Sequence, residues 1–368
     1  MARQVNVGIL GAGNISPAYL KATKQFSILN VIAIADIDES RSRARAEEFE
    51  VPDVCSPDHL LAHPDIEIII NLTVPALHYA TSKAILEAGK HVYVEKPLST
   101  EFAQGCELIE LATSKGLRVG CAPDTFFGGG QQTCRKLIDD GWIGEPLGAT
   151  GFMMSGGPEG WHPDPEFFYK KGAGPLFDMG PYYLTAYINL IGPIAQIASS
   201  AQISFPQRKI TSKPKCGTIV DVETPTFVAG VIDFADGAVG TLLTTFDVWS
   251  SEHRNIEIYG SEGTLLVPDP NMFGGPVRIR RKGASDWSEI PFSHGYTDNS
   301  RGIGVADMAT SMQSGRPHRA SGALANHVLE AMHGILYASQ TRQYYKMTTN
   351  IDQPSALPLD LPSDSVDA

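Results

Sequence analysis

The chain has 368 residues, 42% apolar and 19% charged, with a formal net charge of −12, which is the make-up of a globular protein long enough for two cored domains. The negative balance argues against a nucleic-acid backbone or an anionic membrane surface as partner. No apolar run approaches the ~18–20 residues of a membrane span, and "MARQVNVGIL" runs straight into a strand without the layout of a signal peptide.

Residues 4–121 alternate short β-branched runs with helical patterns. The strands are "VNVGIL", "NVIAIAD", "IEIIINL", "HVYVEK" and "LRVGCA", with helices near 14–25, 39–49, 76–89 and 101–115. This βαβ rhythm predicts an α/β unit, a doubly wound parallel sheet of the Rossmann kind, over residues 1–123. After Pro123 a helix near 129–141 leads to a strand near 147–154 and a loop rich in Gly and Pro over 155–175. A helix then starts near Pro181. From 194 to 290 strands dominate, and "FADGAVG" carries an Asp-Gly hairpin signal. A helix over 321–340 follows "RPHRASG", which reads as a surface loop capping it. Residues 124–350 are therefore expected to form an α+β domain with a large, mainly antiparallel open sheet, and 351–368 a poorly ordered tail. Five cysteines (Cys55, Cys106, Cys121, Cys134, Cys216) without a C-x-x-C pair point to reduced thiols in a cytoplasm. Neither they nor the ten histidines have ligand spacing, so no metal is expected.

Three clusters carry chemistry. In "VGILGAGNIS", Gly11, Gly13, Asn14 and Ile15 follow the first strand and open a helix, the place for a dinucleotide pyrophosphate. Ser16 stands where the third glycine of G-x-G-x-x-G is usual. Asp36 ends the second strand, where a carboxylate accepts hydrogen bonds from a ribose and repels a 2′-phosphate, favouring NAD over NADP. "NLTVPALH" offers Asn71, Thr73, Pro75 and His78 to the cofactor from the sheet's C-terminal edge. "VYVEKPLS" ends the fourth strand with Glu95 and Lys96, and burial there can lower a lysine pKa into a useful range. Farther on, "GAGPLFDMGPYYL" holds Asp178 and, one turn later, Tyr182.

Together these segments resemble the Gfo/Idh/MocA family, which includes glucose–fructose oxidoreductase and inositol dehydrogenases. "YGSEGTLLV" (259–267) is similar to a strand-turn of that family's second domain. The resemblance implies a nicotinamide cleft between the two domains and hydride transfer at a carbinol carbon of a sugar, glycoside or cyclitol. It maps the E-K-P lysine to Lys96 and the D-x-G-x-[HY] pair to Asp178 and Tyr182, with Tyr where many members carry His.

On this reading Lys96, Asp178 and Tyr182 are the catalytic set, with either Lys96 or Tyr182 as the proton-transfer group. A phenol with a pKa of about 10 needs help to act as a base near neutrality. The start of the helix at Pro181 and the Lys96 ammonium are expected to favour its phenolate. The same three residues, with Asp124, Trp161 and His162, are the candidate substrate contacts: Trp161 offers a flat apolar face, Asp124 a hydroxyl acceptor. Two other readings use the same residues. One is a redox-neutral glycoside-cleaving enzyme that recycles tightly bound NAD; the other is an NAD-binding regulator without catalysis. The broad second sheet suits a homodimer or homotetramer.

Overall fold

The computed structural model describes residues 3–367. Its first half is built from β1 (Val5–Leu10), α1 (Ser16–Thr23), β2 (Leu29–Ala35), α2 (Glu39–Phe49), β3 (Asp53–Cys55), α3 (Pro57–Ala62), β4 (Ile68–Asn71), α4 (His78–Glu87), β5 (His91–Val94), α5 (Phe102–Ser114) and β6 (Val119–Cys121). The six strands form one parallel sheet in the order β3-β2-β1-β4-β5-β6. Runs such as "IIIN" and "HVYV" are apolar on both faces because helices cover both faces. Strand order reverses between β1 and β4, so the loops after these two strands open into one crevice.

The second half comprises α6 (Gly129–Asp139), β7 (Pro146–Met154), α7 (Gly174–Leu190), β8 (Ile194–Gln202), β9 (Gln207–Lys209), β10 (Ile219–Asp221), β11 (Phe227–Phe234), β12 (Val239–Thr245), β13 (Ile256–Gly260), β14 (Gly263–Val267), β15 (Val277–Arg281), β16 (Ser288–Ile290), α8 (Ile303–Ser314), α9 (Gly322–Thr341) and β17 (Tyr345–Lys346). Nine of these strands make a sheet in the order β16-β15-β14-β13-β7-β12-β11-β8-β17, antiparallel except between β7 and β12. β11 and β12 alternate buried and open positions, since α7 and α9 cover only one face. Strand β9 pairs with β10 in a separate ribbon, over a small core of Phe168, Tyr169, Ile210, Val220, Val222 and Phe246.

Four expectations are corrected. The helix expected from Pro181 begins about two turns earlier, at Gly174, with Pro181 inside it. Helix α8 lies where no helix was expected and packs back onto β6 and α1 of the first sheet. The tail expected to be poorly ordered is folded down: Leu357 and Val366 are buried. It is held where Gln132 accepts the Leu357 N–H (2.8 Å) and where Asp367 pairs with Arg316 and Arg319 (2.6 and 3.2 Å). Arg319 is thus buried, bonded to the Ser355 carbonyl and to Asp307, and does not belong to a surface loop.

Candidate functional site

The loop after β1 turns at Gly11, whose φ of +109° suits glycine. A Cβ there would also lie 2.7 Å from the Leu72 carbonyl oxygen. At Gly13 a Cβ would meet no atom within 4 Å, so the space in front of the loop is open. Asn14 is exposed beside it, and Ile15 precedes α1 without any side-chain cap; the Ser16 and Ala18 N–H groups turn back to the Gly13 (3.2 Å) and Ile15 (3.0 Å) carbonyls and Pro17 has none, so the donors left for that space are those of the loop itself. Asp36 fastens the loop: its Oδ2 accepts the Ala12 N–H (2.6 Å) and its Oδ1 the Asp38 N–H (2.9 Å). It also lines a cleft of about 620 Å³ with Ile37, Cys55, Ser56 and His59. Open backbone donors, an uncapped helix and an acidic cleft together fit a dinucleotide.

Four residues expected at the cofactor turn out to frame the site. Asn71 is buried; its Oδ1 accepts from the Thr73 hydroxyl (2.7 Å) and its amide donates to Ser82 (3.0 Å). His78 is buried between the carbonyls of Pro97 (2.6 Å) and Thr73 (2.9 Å), tying the β4 loop to the lysine segment. Glu95 accepts from the Tyr19 hydroxyl (2.8 Å) and the Lys96 N–H (2.9 Å), which anchors α1 to the end of β5. Pro75 starts a single turn leading into α4, and Thr73, Pro75 and Glu95 remain partly open while Asn71 and His78 are buried.

Lys96, leaving β5, meets α7. Its Nζ lies 2.9 Å from Asp178 Oδ1 and 2.6 Å from the Asp178 carbonyl, and 5.2 Å from the centre of the Tyr182 ring. Four residues apart on one helix, Asp178 and Tyr182 share a face, which is what brings both to the lysine. Asp178 is therefore no N-cap; Ala173 holds that position. Tyr182 also lies beyond the first turn, where the helix dipole fades.

The electrostatics differ from expectation. Burial works to lower the Lys96 pKa, but Asp178, Tyr182 and Glu95 outweigh it and the net direction is upward, so Lys96 stays an ammonium. Burial pushes the Tyr182 phenol above the usual tyrosine value, and Lys96 and Arg301 pull it back only in part. Neither the lowered lysine nor the resting phenolate expected from the sequence is present.

Asp124 is not open to a substrate hydroxyl. It is 1% exposed, and its Oδ2 accepts the N–H groups of Gly302 (2.8 Å) and Gly304 (3.1 Å) at the start of α8. Burial raises its pKa to about 6. Trp161 and His162 pack edge-on against each other and against Phe168, at the small core under β9 and β10, away from the hydrogen bonds of Lys96. Trp161 is 70% exposed. Sequence reasoning missed Arg301, whose guanidinium is held by Asn299 and Asn271 and whose charge works to lower the Tyr182 pKa. The signal was the unread helix behind it: Ile303, Ala306, Ala309 and Met312 recur every three residues between Gly302 and Gly315.

A family model described as an oxidoreductase family with an NAD-binding Rossmann fold matches residues 5–122, and the GFO/IDH/MocA C-terminal domain matches 131–266. The chain is 26% identical over 347 residues to a dTDP-3,4-didehydro-2,6-dideoxy-alpha-D-glucose 3-reductase of Saccharopolyspora spinosa, covering 90% of this chain and 98% of that protein. It is 30% identical over 298 residues to the protein of the same name from Streptomyces antibioticus, covering 78% and 84%. A levoglucosan dehydrogenase solved with NADH and levoglucosan superposes with a TM-score of 0.78 at 20% identity, over 96% of this chain and all of that one.

Proposed function

Because the chain belongs to the Gfo/Idh/MocA family of oxidoreductases with an NAD-binding Rossmann fold, we propose that it moves a hydride between NAD and a carbinol carbon of a sugar, glycoside or cyclitol. The observation that carries this reading is the Lys96–Asp178 ion pair of 2.9 Å with Tyr182 one turn further along α7. The sugar class also draws support from the names of the similar proteins, a dTDP-sugar reductase and a levoglucosan dehydrogenase.

The glycine loop from Gly11 to Ile15 and the uncapped start of α1 suit the pyrophosphate, Asp36 the ribose, and Thr73 and Pro75 the nicotinamide half. Bound there, NAD supplies the hydride acceptor for oxidation and the donor for reduction. Arg41 and Arg43 are paired with Asp38 and Glu39, which leaves Asp36 to disfavour a 2′-phosphate.

Lys96, an ammonium, donates a hydrogen bond to the carbinol oxygen and stabilises the negative charge that develops there. Asp178 fixes where that charge sits. Tyr182, neutral at rest, gives a proton to a carbonyl oxygen in reduction, and its phenolate takes one from the alcohol in oxidation. The reading extends to a cytoplasmic setting and to a homodimer or homotetramer through the nine-stranded sheet, whose outer face leaves Val231 and Val239 partly open. Light scattering of the purified protein measures that subunit count.

A panel of sugars and inositols, each with NAD and with NADP, followed by the absorbance of reduced nicotinamide, tests the activity. Turnover with NAD that vanishes in Lys96→Met supports the mechanism, and undiminished turnover in that variant removes it. Release of phenol from aryl glycosides without net NADH would replace hydride transfer to product by the redox-neutral cleavage.

A further inference from the structure

We propose that His78 is a positioning residue that works through its own proton: as an imidazolium it holds the loop after β4 to the Lys96 segment, and as a neutral imidazole it lets that loop go. The proposed function enters only in giving Thr73 and Lys96 their roles. His78 opens α4 and is 1% exposed. Its Nδ1 lies 2.6 Å from the Pro97 carbonyl oxygen and its Nε2 2.9 Å from that of Thr73. Both are hydrogen-bonding distances. A carbonyl oxygen can only accept, so both ring nitrogens have to donate, and only the cationic ring carries two N–H groups. With one proton removed, a nitrogen lone pair would face a carbonyl oxygen, and that contact has to open. Neither carbonyl receives another hydrogen bond among the described residues, so the ring alone holds each of them.

Burial decides which bond survives. Pro97 is buried, so its carbonyl has no water to turn to, whereas Thr73 is partly open. The neutral ring therefore keeps its proton on Nδ1, stays with Pro97 and releases Thr73. Since Pro97 follows Lys96 directly, the lysine segment is held in both states. What changes with the proton is the hold on the Thr73 loop, which leaves the sheet beside it because β4 and β5 are parallel neighbours. Burial lowers the His78 pKa from 6.5, against the two carbonyls and Glu95, which favour the proton, while Lys96 opposes it. The release is thus placed on the acid side of 6.5. The other neighbours leave this balance alone: Asn71, which bonds the His78 carbonyl, and Ser82 are uncharged, and Glu107 of α5 and Lys83 of α4 are engaged with Tyr79.

The test uses the full chain at pH 5 to 8, as wild type and as His78→Gln, whose amide offers a donor to one carbonyl and does not titrate. The first readout is the long-range proton–nitrogen spectrum of protein labelled with nitrogen-15 at histidine, with His78 identified by its absence from the variant. Both ring nitrogens should carry protons at pH 5, and Nδ1 alone at pH 8. The second is amide exchange of a peptide covering 72–77, corrected for the intrinsic effect of pH. In the wild type it should be about tenfold slower at pH 5 than at pH 8. In His78→Gln it should match the wild type at pH 8 throughout. Slower exchange in acid runs opposite to a general acid loosening of the fold, so the two are not confused. A His78 ring that is neutral at pH 5, or still charged at pH 8, overturns the proposal, as does exchange that ignores the titration. If His78→Gln does not fold, the wild-type exchange ratio decides by itself. Neither readout needs turnover, so a failure of the sugar-oxidoreductase reading would leave both results standing.

Discussion

The Lys96 ammonium is confined by two oxygens of one residue, Asp178, and this sets the division of labour at the site. Under the proposed function, a lysine whose pKa is raised cannot accept a proton near neutrality, which assigns the base in oxidation to Tyr182. Since burial leaves that phenol above 10, only a small phenolate fraction exists at pH 7, and it grows tenfold per pH unit. The oxidation rate should therefore climb steadily between pH 7 and 9, while reduction, which uses the neutral phenol, stays flat over the same range. Initial rates in both directions across that range measure this. Tyr182→Phe should remove the slope and lower kcat by about 10²–10⁴-fold. An oxidation rate that is level with pH would point to a different base. Lys96 and Asp178 were legible in the sequence because E-K-P and D-x-G are local patterns. Arg301 was not, since its placement depends on Asn299 and Asn271, which only the fold gathers around it.

At the level of elements, α7 decides the geometry. Its start at Gly174 puts Asp178 and Tyr182 a full turn apart on one face, and Pro181 interrupts the ladder between them. Proline there has no N–H for the Phe177 carbonyl, and its ring crowds that oxygen. The local distortion lies next to the Asp178 carbonyl that Lys96 uses. Pro181→Ala restores a regular ladder, so the thermal midpoint should hold or rise while kcat falls by about tenfold, as the carbonyl and carboxylate of Asp178 shift away from Nζ. Calorimetry and steady-state kinetics on the same preparation check both halves. A variant with unchanged kcat would show that the distortion does not tune the site. The longer β-strands and the helices α1, α2, α4 and α5 were readable from their apolar periods, whereas β3, α3, β9, β10, β16 and β17, of two to six residues each, were too short to show one and were not read. The early start of α7 was hidden by "KGAGPLF", where Gly and Pro look like a loop, although Pro175 sits in the first turn that tolerates it.

Across the whole molecule, the second half of the chain returns to the first sheet through α8, the start of α9 and the C-terminal segment. The Ser363 carbonyl accepts from Gln25 (2.8 Å), and the Tyr296 ring packs tilted against Phe26 with centroids 5.8 Å apart. The Pro- and Asp-rich composition of that tail hid this, because what orders it is the pairing of Asp367 with Arg316 and Arg319, some fifty residues away in the chain. Two histidines at these junctions, His327 buried and His318 half-buried, make stability depend on pH. His318 takes a hydrogen bond from Arg118 on Nδ1 (3.3 Å) and lies 2.9 Å from the Val119 carbonyl through Nε2. His327 accepts the Ile194 N–H on Nε2 (3.1 Å) and lies 2.7 Å from the Thr349 hydroxyl through Nδ1. Each therefore needs one neutral nitrogen, and burial lowers the pKa of each to about 4 from 6.5. Above pH 6.5 neither state binds the proton and these groups contribute nothing to the slope. As pH falls from 6.5 toward 4 the unfolded chain takes up protons that the folded one refuses, so stability drops, by on the order of 3 kcal/mol per histidine. Asp124 acts in the opposite sense: its raised pKa of about 6 means the folded state binds a proton first, and stability is gained as pH falls from 6 toward 3.8. Two histidines against one carboxylate leave a net loss. Urea unfolding at pH 7.5, 5.5 and 4.5 should show a falling midpoint. His327→Gln, whose amide offers one donor and one acceptor in similar places, should flatten that slope, whereas a variant as steep as the wild type would mean that His327 already carries its proton in the folded protein.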